Sequence, residues 1–268
     1  YSPYNGKIQD GYMYTDNGFW DTFRAVHPLF TLLYPEVSER VTQSILNAYD
    51  ESGFMPEWAS PGHRECMIGN NSISLLTDAW MKGIRTICPE KALEAMIHQT
   101  EARHPGISSV GRDGFGYYDR LGYVPYPEVH EATAKTLEYA YADWCVARFA
   151  DSIGRKEIAD TYYRKALNYR NLYYPDYGFM WVKDANGKWR DAFDSTEWGG
   201  PFTEGSSWHW TWSVLHDPEG LSRLMGGHTA MEARLDSMFT APNTYNYGTY
   251  GFVIHEIAEM VALDKVGS

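Results

Sequence analysis

Apolar residues recur at three- and four-residue spacing along most of the chain, the repeat of a helix with one buried stripe. In Val37–Ser52 (VSERVTQSILNAYDES) the stripe runs through Val37, Val41, Ile45 and Tyr49 and stops before Gly53. The same reading predicts helices over Asp21–Tyr34, broken by Pro35, and over Ser72–Gly83. A third, Pro89–His104, opens with Pro and Glu, a normal first turn. Glu131–Ile153 is long and ends at Gly154, with Lys156–Leu172 following directly. Tyr174–Pro201 is rich in turn residues, and within it Gly178–Trp189 (GFMWVKDANGKW) reads as a small hairpin with Asn186-Gly187 at its turn. Helical spacing resumes over Ser207–Leu215, Pro218–Met225, Thr229–Phe239 and Gly251–Leu263.

The fold class expected is therefore all-α. No composition shift marks a domain boundary, so residues 1–268 are read as a single domain. Successive antiparallel helices suit a stacked solenoid or a closed α/α barrel. A solenoid would show a fixed period, and none is visible. Long, irregular, aromatic-rich loops favour the barrel, where such loops build one face.

Composition sharpens this. The net charge of −12 and the lack of a Lys/Arg cluster argue against a nucleic-acid partner. No apolar run approaches the length of a membrane span. The 10 Trp and 21 Tyr offer flat apolar faces with polar edges, which match the C–H faces and hydroxyl rims of sugars. Cys66, Cys88 and Cys145 are far apart and odd in number, so no disulfide framework or zinc pattern is legible, and one disulfide plus a free thiol is open. The chain starts at Tyr1 with no signal peptide, which is expected of a processed product or a fragment.

Five segments carry candidate chemistry. Glu204 precedes a predicted helix and is followed by Trp208, Trp210 and Trp212. An apolar surround would favour its protonated form, as a general acid needs, while a carboxylate there would also cap the helix, and both roles are open. His255 and Glu256 lie within Gly251–Leu263, where His-Glu-Ile-Ala-Glu lacks the second His of a zinc-protease helix. Trp20 and Asp21 open the first helix, with Asp21 readable as an N-cap paired to Arg24 or as a group that holds sugar hydroxyls. Glu57, Trp58, His63, Arg64 and Glu65 crowd one loop, more functional side chains than a plain connector needs. Glu138 sits among aromatics on a strongly helical stretch, where a core hydrogen bond to a Tyr would explain it.

Taken together these segments resemble glycoside hydrolase family 92, the calcium-dependent exo-acting α-mannosidases. The resembling residues are WDTFRAVHPL (20–29), GFMPEW (53–58), MIG (67–69), DAWMKGI (78–84), KTLEYAYADW (135–144), YRNLY (169–173), TEGSSW (203–208), HDPEGL (216–221), LMGG (224–227) and VIHEI (253–257). They run in order over nearly the whole chain. The resemblance implies an (α/α)6 barrel, here incomplete and with the small hairpin inserted, and hydrolysis of a mannose-containing glycan, such as an N-glycan, with inversion. It implies that Glu204 is the general acid, that His255 and Glu256 contact the leaving-group sugar as in members that cleave α-1,2 linkages, and that Asp21 contacts the terminal mannose. Trp20, Trp58, Arg64 and Trp208 are the further substrate contacts expected. A calcium ion is implied as cofactor, with protein ligands unknown, and a secreted, periplasmic or cell-surface location is implied. Oligomeric state is unknown.

The sequence departs from the family pattern at both ends. The general base of the family lies in a Gly-Asp-x-Asp-type motif downstream of the His-Glu helix, and the 268 residues contain none. The β-sandwich domain that precedes the barrel is missing too. The expectation is a catalytic segment truncated at both ends, with weak or no turnover from these residues alone.

Overall fold

The computed structural model describes residues 1–241 and 244–247. The helix expected over Gly251–Leu263, with His255 and Glu256, lies outside them. By contact the chain divides into two compact units, Tyr1–Gly116 with Glu138–Ala166, and Tyr117–Leu137 with Leu167–Ser268. The structure is mostly helical, as the spacing predicts.

In the first unit, α1 (Phe19–Thr22) and α2 (Val26–Leu33) replace the single helix expected over Asp21–Tyr34. Pro28 explains the break. In a continuous helix its ring would clash with the carbonyl of Arg24 and its missing N–H would cost a bond. Restarting at Val26 places Pro28 in a first turn, where neither matters. Pro35 opens α3 (Pro35–Ser52) rather than merely ending the helix before it, and Gly53 closes α3 in the left-handed conformation at φ 82°. α4 (Asn71–Met81) and α5 (Pro89–Glu101) fall where expected. A short α6 (Phe115–Leu121) follows, with no apolar repeat long enough to announce it.

α7 (Ala132–Ser152) is buried over most of its circumference, with a half-buried stripe through Tyr141, Trp144, Arg148 and Asp151. Its Ala142, Val146 and Phe149 pack in one apolar cluster with Ile45, Leu46, Ile73, Leu76 and Met96. α8 (Lys156–Lys165) tightens into a 3₁₀ helix over Ala166–Leu172 rather than continuing as α-helix.

Three polar clamps cross this core. Arg112 and Asp143 form a buried ion pair at 2.8 Å, with 1% and 0% of their side chains exposed. Arg112 also donates to Asn70 Oδ1 at 2.7 Å and to the Tyr139 carbonyl at 3.1 Å. The Glu57 carboxylate accepts from Ser72 Oγ at 2.8 Å, from the Ser72 N–H at 3.2 Å and from Gln99 Nε2 at 3.1 Å. Gln99 in turn bonds both backbone groups of Met55. The third clamp, Glu138, belongs to the candidate site.

The second unit is built on aromatics. Trp181, Trp198, Tyr169 and Phe202 are among its fully buried side chains. A two-residue antiparallel ladder pairs Tyr173–Tyr174 with Phe179–Met180. This is one turn upstream of the hairpin expected over Gly178–Trp189. The Asn186-Gly187 turn does form: Asp184 Oδ1 accepts from the N–H groups of Asn186 and Lys188, and a single bridge joins Lys183 to Trp189. α9 (Ser207–Trp210) is shorter than the stretch expected to Leu215, and just past its end Thr211 Oγ1 accepts from the Met180 N–H and donates to the Ser207 carbonyl. α10 (Pro218–Met225) is capped by Asp217, and α11 (His228–Thr240) follows. All three cysteines are free thiols, Cys145 buried and the other two exposed. No helix among the described residues is long and apolar enough to cross a membrane.

Two outcomes follow from the buried polar groups. Asp143→Leu strands the Arg112 cation in the core and should cost about 3–5 kcal/mol in urea unfolding, while Arg112→Met with Asp143→Leu should recover most of that loss. The second concerns pH. Burial pulls His27 and His63 down to about 4 from 6.5, so the unfolded chain takes up their protons first and stability falls as pH drops from 6.5 toward 4. Burial pushes Glu57 up to about 8 from 4.5, so its contribution is full below 4.5 and is lost as pH rises through 8. Thermal unfolding should therefore be most resistant near pH 6.5, and Glu57→Gln should flatten the decline above it.

Candidate functional site

The candidates of the first unit are assembled by a two-residue ladder. Asn17–Gly18 (β1) pairs antiparallel with Trp58–Ala59 (β2), placing Gly18 opposite Trp58. β1 runs straight into α1, so Trp20 and Asp21 are fixed beside the Trp58 strand, and the Phe19 N–H donates to the Glu57 carbonyl at 3.0 Å. A Cβ on Gly18 would lie 2.5 Å from Met67 Cε, so the Met67 side chain packs directly over the ladder at that glycine.

Trp20 is half-buried. Its indole Nε1 donates to Glu138 Oε1 at 3.2 Å, and the Arg24 guanidinium lies over its ring. Asp21 is exposed and forms no hydrogen bond or ion pair among the described residues. The N-cap position of α1 is Gly18, so neither an N-cap nor a bond to Arg24 accounts for Asp21. Trp58 is half-buried, its indole nitrogen buried without a partner among the described residues, and the Arg64 guanidinium sits 5.9 Å from its ring centroid. Ladder and loop thus bring Trp20, Asp21, Trp58 and Arg64 into one unit. Glu65, from the same loop, instead accepts from the Ser108 hydroxyl at 2.7 Å and ties that loop down. Glu57 faces the core, while Glu138 bonds to an indole rather than to the tyrosine the sequence suggested.

Glu204 belongs to the second unit. It is exposed, and its backbone is left-handed at φ 45°, one of five non-glycine residues with positive φ among the described residues. Such a conformation costs a side-chain-bearing residue of order 1–3 kcal/mol and persists only where its surroundings impose it. Here they do. The Gly199 N–H donates to the Gly205 carbonyl at 2.9 Å, and Trp210 Nε1 donates to the Thr203 carbonyl at 2.8 Å. The cap of α9 is Ser206, whose hydroxyl accepts from the Trp208 N–H and whose N–H donates to His209 Nδ1 at 3.2 Å. Helix capping is therefore performed by Ser206 and does not explain Glu204. The three tryptophans beside it play different parts: Trp210 is buried, Trp212 is half-buried, and Trp208 packs edge-on against Phe179 with the Arg234 guanidinium 5.9 Å from its ring.

Sequence reasoning missed two further groups in this unit. Trp198, His209 and Tyr245 form an aromatic cluster, with Trp198 and His209 centroids 5.1 Å apart. Asp194 organises the turn before Trp198, accepting from Thr196 and from Asn246 Nδ2. The Asp and Trp of that stretch were visible in the sequence, but nothing in their spacing linked them to residue 246. Among the described residues no group of three or more His, Cys, Asp and Glu side chains could hold a metal ion, so no calcium ligand set is assigned here.

The model of the glycosyl hydrolase family 92 catalytic domain matches residues 1–260. The chain is similar to a family 92 inverting mannosidase from Bacteroides thetaiotaomicron VPI-5482, with 84% identity and a TM-score of 0.89 over 98% of this chain and 36% of that one. It is also similar to a family 92 α-mannosidase from Bacteroides thetaiotaomicron, at 33% identity and a TM-score of 0.80 over 87% of this chain and 31% of the other. An uncharacterized secreted glycosidase of Arthroderma benhamiae is 27% identical over 72% of this chain and 29% of its own length. The chain thus spans about a third of the length of these relatives. With the family model matched along nearly its full length, this chain belongs to glycosyl hydrolase family 92.

Proposed function

We propose that these residues form part of the catalytic domain of an exo-acting α-mannosidase that works by inversion, with Glu204 as its general acid. The observation that carries this reading is the backbone of Glu204. An exposed carboxylate is held left-handed by a loop bonded on both sides, and the capping role that would otherwise explain it belongs to Ser206. Membership of family 92 and the inverting mannosidase that shares 84% identity support the reaction class.

In this reading the Glu204 carboxylic acid gives its proton to the glycosidic oxygen as the C1–O bond breaks. Water attacks the opposite face of the sugar, activated by a second carboxylate some 6.5–9.5 Å from the first, the separation inversion requires. The family places that base in a Gly-Asp-x-Asp motif which these 268 residues do not contain. Asp21 would bind mannose hydroxyls, with Trp20, Trp58 and Arg64 around it, and Trp208 is proposed as a further contact. His255 and Glu256 are the proposed leaving-group contacts, and with them the preference for α-1,2 linkages. An (α/α)6 barrel is the proposed architecture and a secreted, periplasmic or surface location the proposed setting. Calcium, if bound, would supply charge at the sugar hydroxyls.

The complete gene product tests the acid role. Glu204→Gln should lower kcat on α-1,2-mannobiose by about 10²–10⁴-fold, the range a positioned general acid supplies. It should lower kcat far less on an aryl mannoside whose phenolate leaves without protonation. Equal losses on both would remove Glu204 from that role. Proton NMR of the first product should show β-mannose, and a retained α anomer would exclude inversion. Calcium chelation should depress turnover reversibly, whereas unchanged rates after exhaustive chelation would remove the ion from the proposal.

A further inference from the structure

The mannosidase reading gives Trp20 a sugar to contact but leaves Glu138 unused. We propose that Glu138 is a positioning residue: its buried carboxylate holds the Trp20 indole by its N–H and so fixes the ring face offered to the sugar. This rests on the mannosidase reading for the identity of the ligand.

The arrangement is unusual for a core. Glu138 is only 4% exposed and lies on α7, among apolar neighbours. A carboxylate there gives up its hydration and is retained only where specific partners replace it. Its Oε1 accepts from Trp20 Nε1 at 3.2 Å and its Oε2 from Asn71 Nδ2 at 3.4 Å. Burial pushes the Glu138 carboxyl above its usual range, the Arg24 charge and the bonds from Trp20 and Asn71 pull the other way, and the Arg24 guanidinium also lies 5.7 Å from the Trp20 ring centroid. Gly69 comes so close that a Cβ there would stand 2.5 Å from Glu138 Oε2. Residues from three separate stretches thus converge on one side-chain hydrogen bond. Its donor is a half-exposed ring that an apolar core residue would support equally well if packing alone were needed. A hydrogen bond to the ring edge does what packing does not: it sets the rotation of the indole about its own axis.

Glu138→Gln, Trp20→Phe and the double variant of the complete gene product decide the matter. Kinetics are read on 4-nitrophenyl α-mannoside. The ring is read by fluorine NMR of 5-fluorotryptophan, its Trp20 resonance identified by loss in Trp20→Phe. Each single variant should lower kcat/KM about tenfold, mostly through KM, the order expected when a bond to a charged acceptor is lost. The double variant should be no worse than the poorer single, as for two residues acting through one bond. The Trp20 resonance should shift or broaden in Glu138→Gln. If that variant does not fold, Glu138→Asp keeps the charge but draws it away from the indole, and the same losses are expected. Three results would overturn the role: an unmoved resonance, kcat/KM within about twofold of wild type despite a lowered melting point, or losses that multiply in the double variant. Wild type inert on every α-mannoside would instead overturn the activity reading, and the sugar-directed role with it, while the resonance would still report whether Glu138 holds the ring.

Discussion

Helix α7 carries Glu138 and Asp143 into an apolar interior, and a buried carboxylate is tolerated there only with partners that replace the water it has lost. Those partners come from remote segments of the chain. Asp143 takes Arg112, which in turn takes Asn70 and the Tyr139 carbonyl. Glu138 takes Trp20 and Asn71. Asn70 also donates to the Gly111 carbonyl, tying the loop before α6 to the start of α4. The segments around residues 69–71 and 111–113, together with α1, are therefore placed by charge satisfaction on one helix. The apolar cluster of α3, α4, α5 and α7 supplies cohesion, since burial of apolar area is non-directional. Register comes from the polar clamps.

Glu57 extends the same logic to the aromatic ladder. Its carboxylate is locked by Ser72 and Gln99, and its carbonyl receives the Phe19 N–H. A loop that would otherwise be a flexible connector becomes a rigid edge, with Trp58 on β2 and Trp20 on the helix that continues β1. The two exposed charges of the neighbourhood, Asp21 and Arg64, are left to solvent on that edge. The buried Glu57 carboxyl is partnered on both oxygens, while Asp21 and Arg64 stand exposed beside the ladder.

Much of the helical framework was legible because its signals are local. Gly53 and Gly154 end helices, Pro89 and Pro218 open them, and apolar spacing fills the interval. The structure departs from that reading in places. The run to Leu215 is not helical beyond Trp210, where Thr211 Oγ1 accepts from the Met180 N–H of a strand some thirty residues away. Asp21–Tyr34 was a local misreading, since Pro28 already forbade one helix. The site was legible residue by residue and not as geometry. Trp20, Asp21, Trp58, Arg64 and Glu204 stood out by type and order. That Glu138 serves an indole, and that Ser206 rather than Glu204 caps α9, depends on contacts no spacing encodes.

The backbone at Glu204 turns that last point into a physical argument. Left-handed positions are commonly given to Gly, Asn or Asp, which adopt φ near +50° at little cost. Glutamate has no short polar group to bond its own backbone, so nothing local recompenses the conformation. The compensation is supplied by neighbours: the Gly199–Gly205 bond, the Trp210 indole on the Thr203 carbonyl, and the reciprocal bonds of Ser206 and His209. A loop selected only for stability would relax by placing glycine at 204. Keeping a longer carboxylate there, exposed and with its backbone over-determined, is sensible when the position of the carboxyl group matters more than the energy of the turn that presents it.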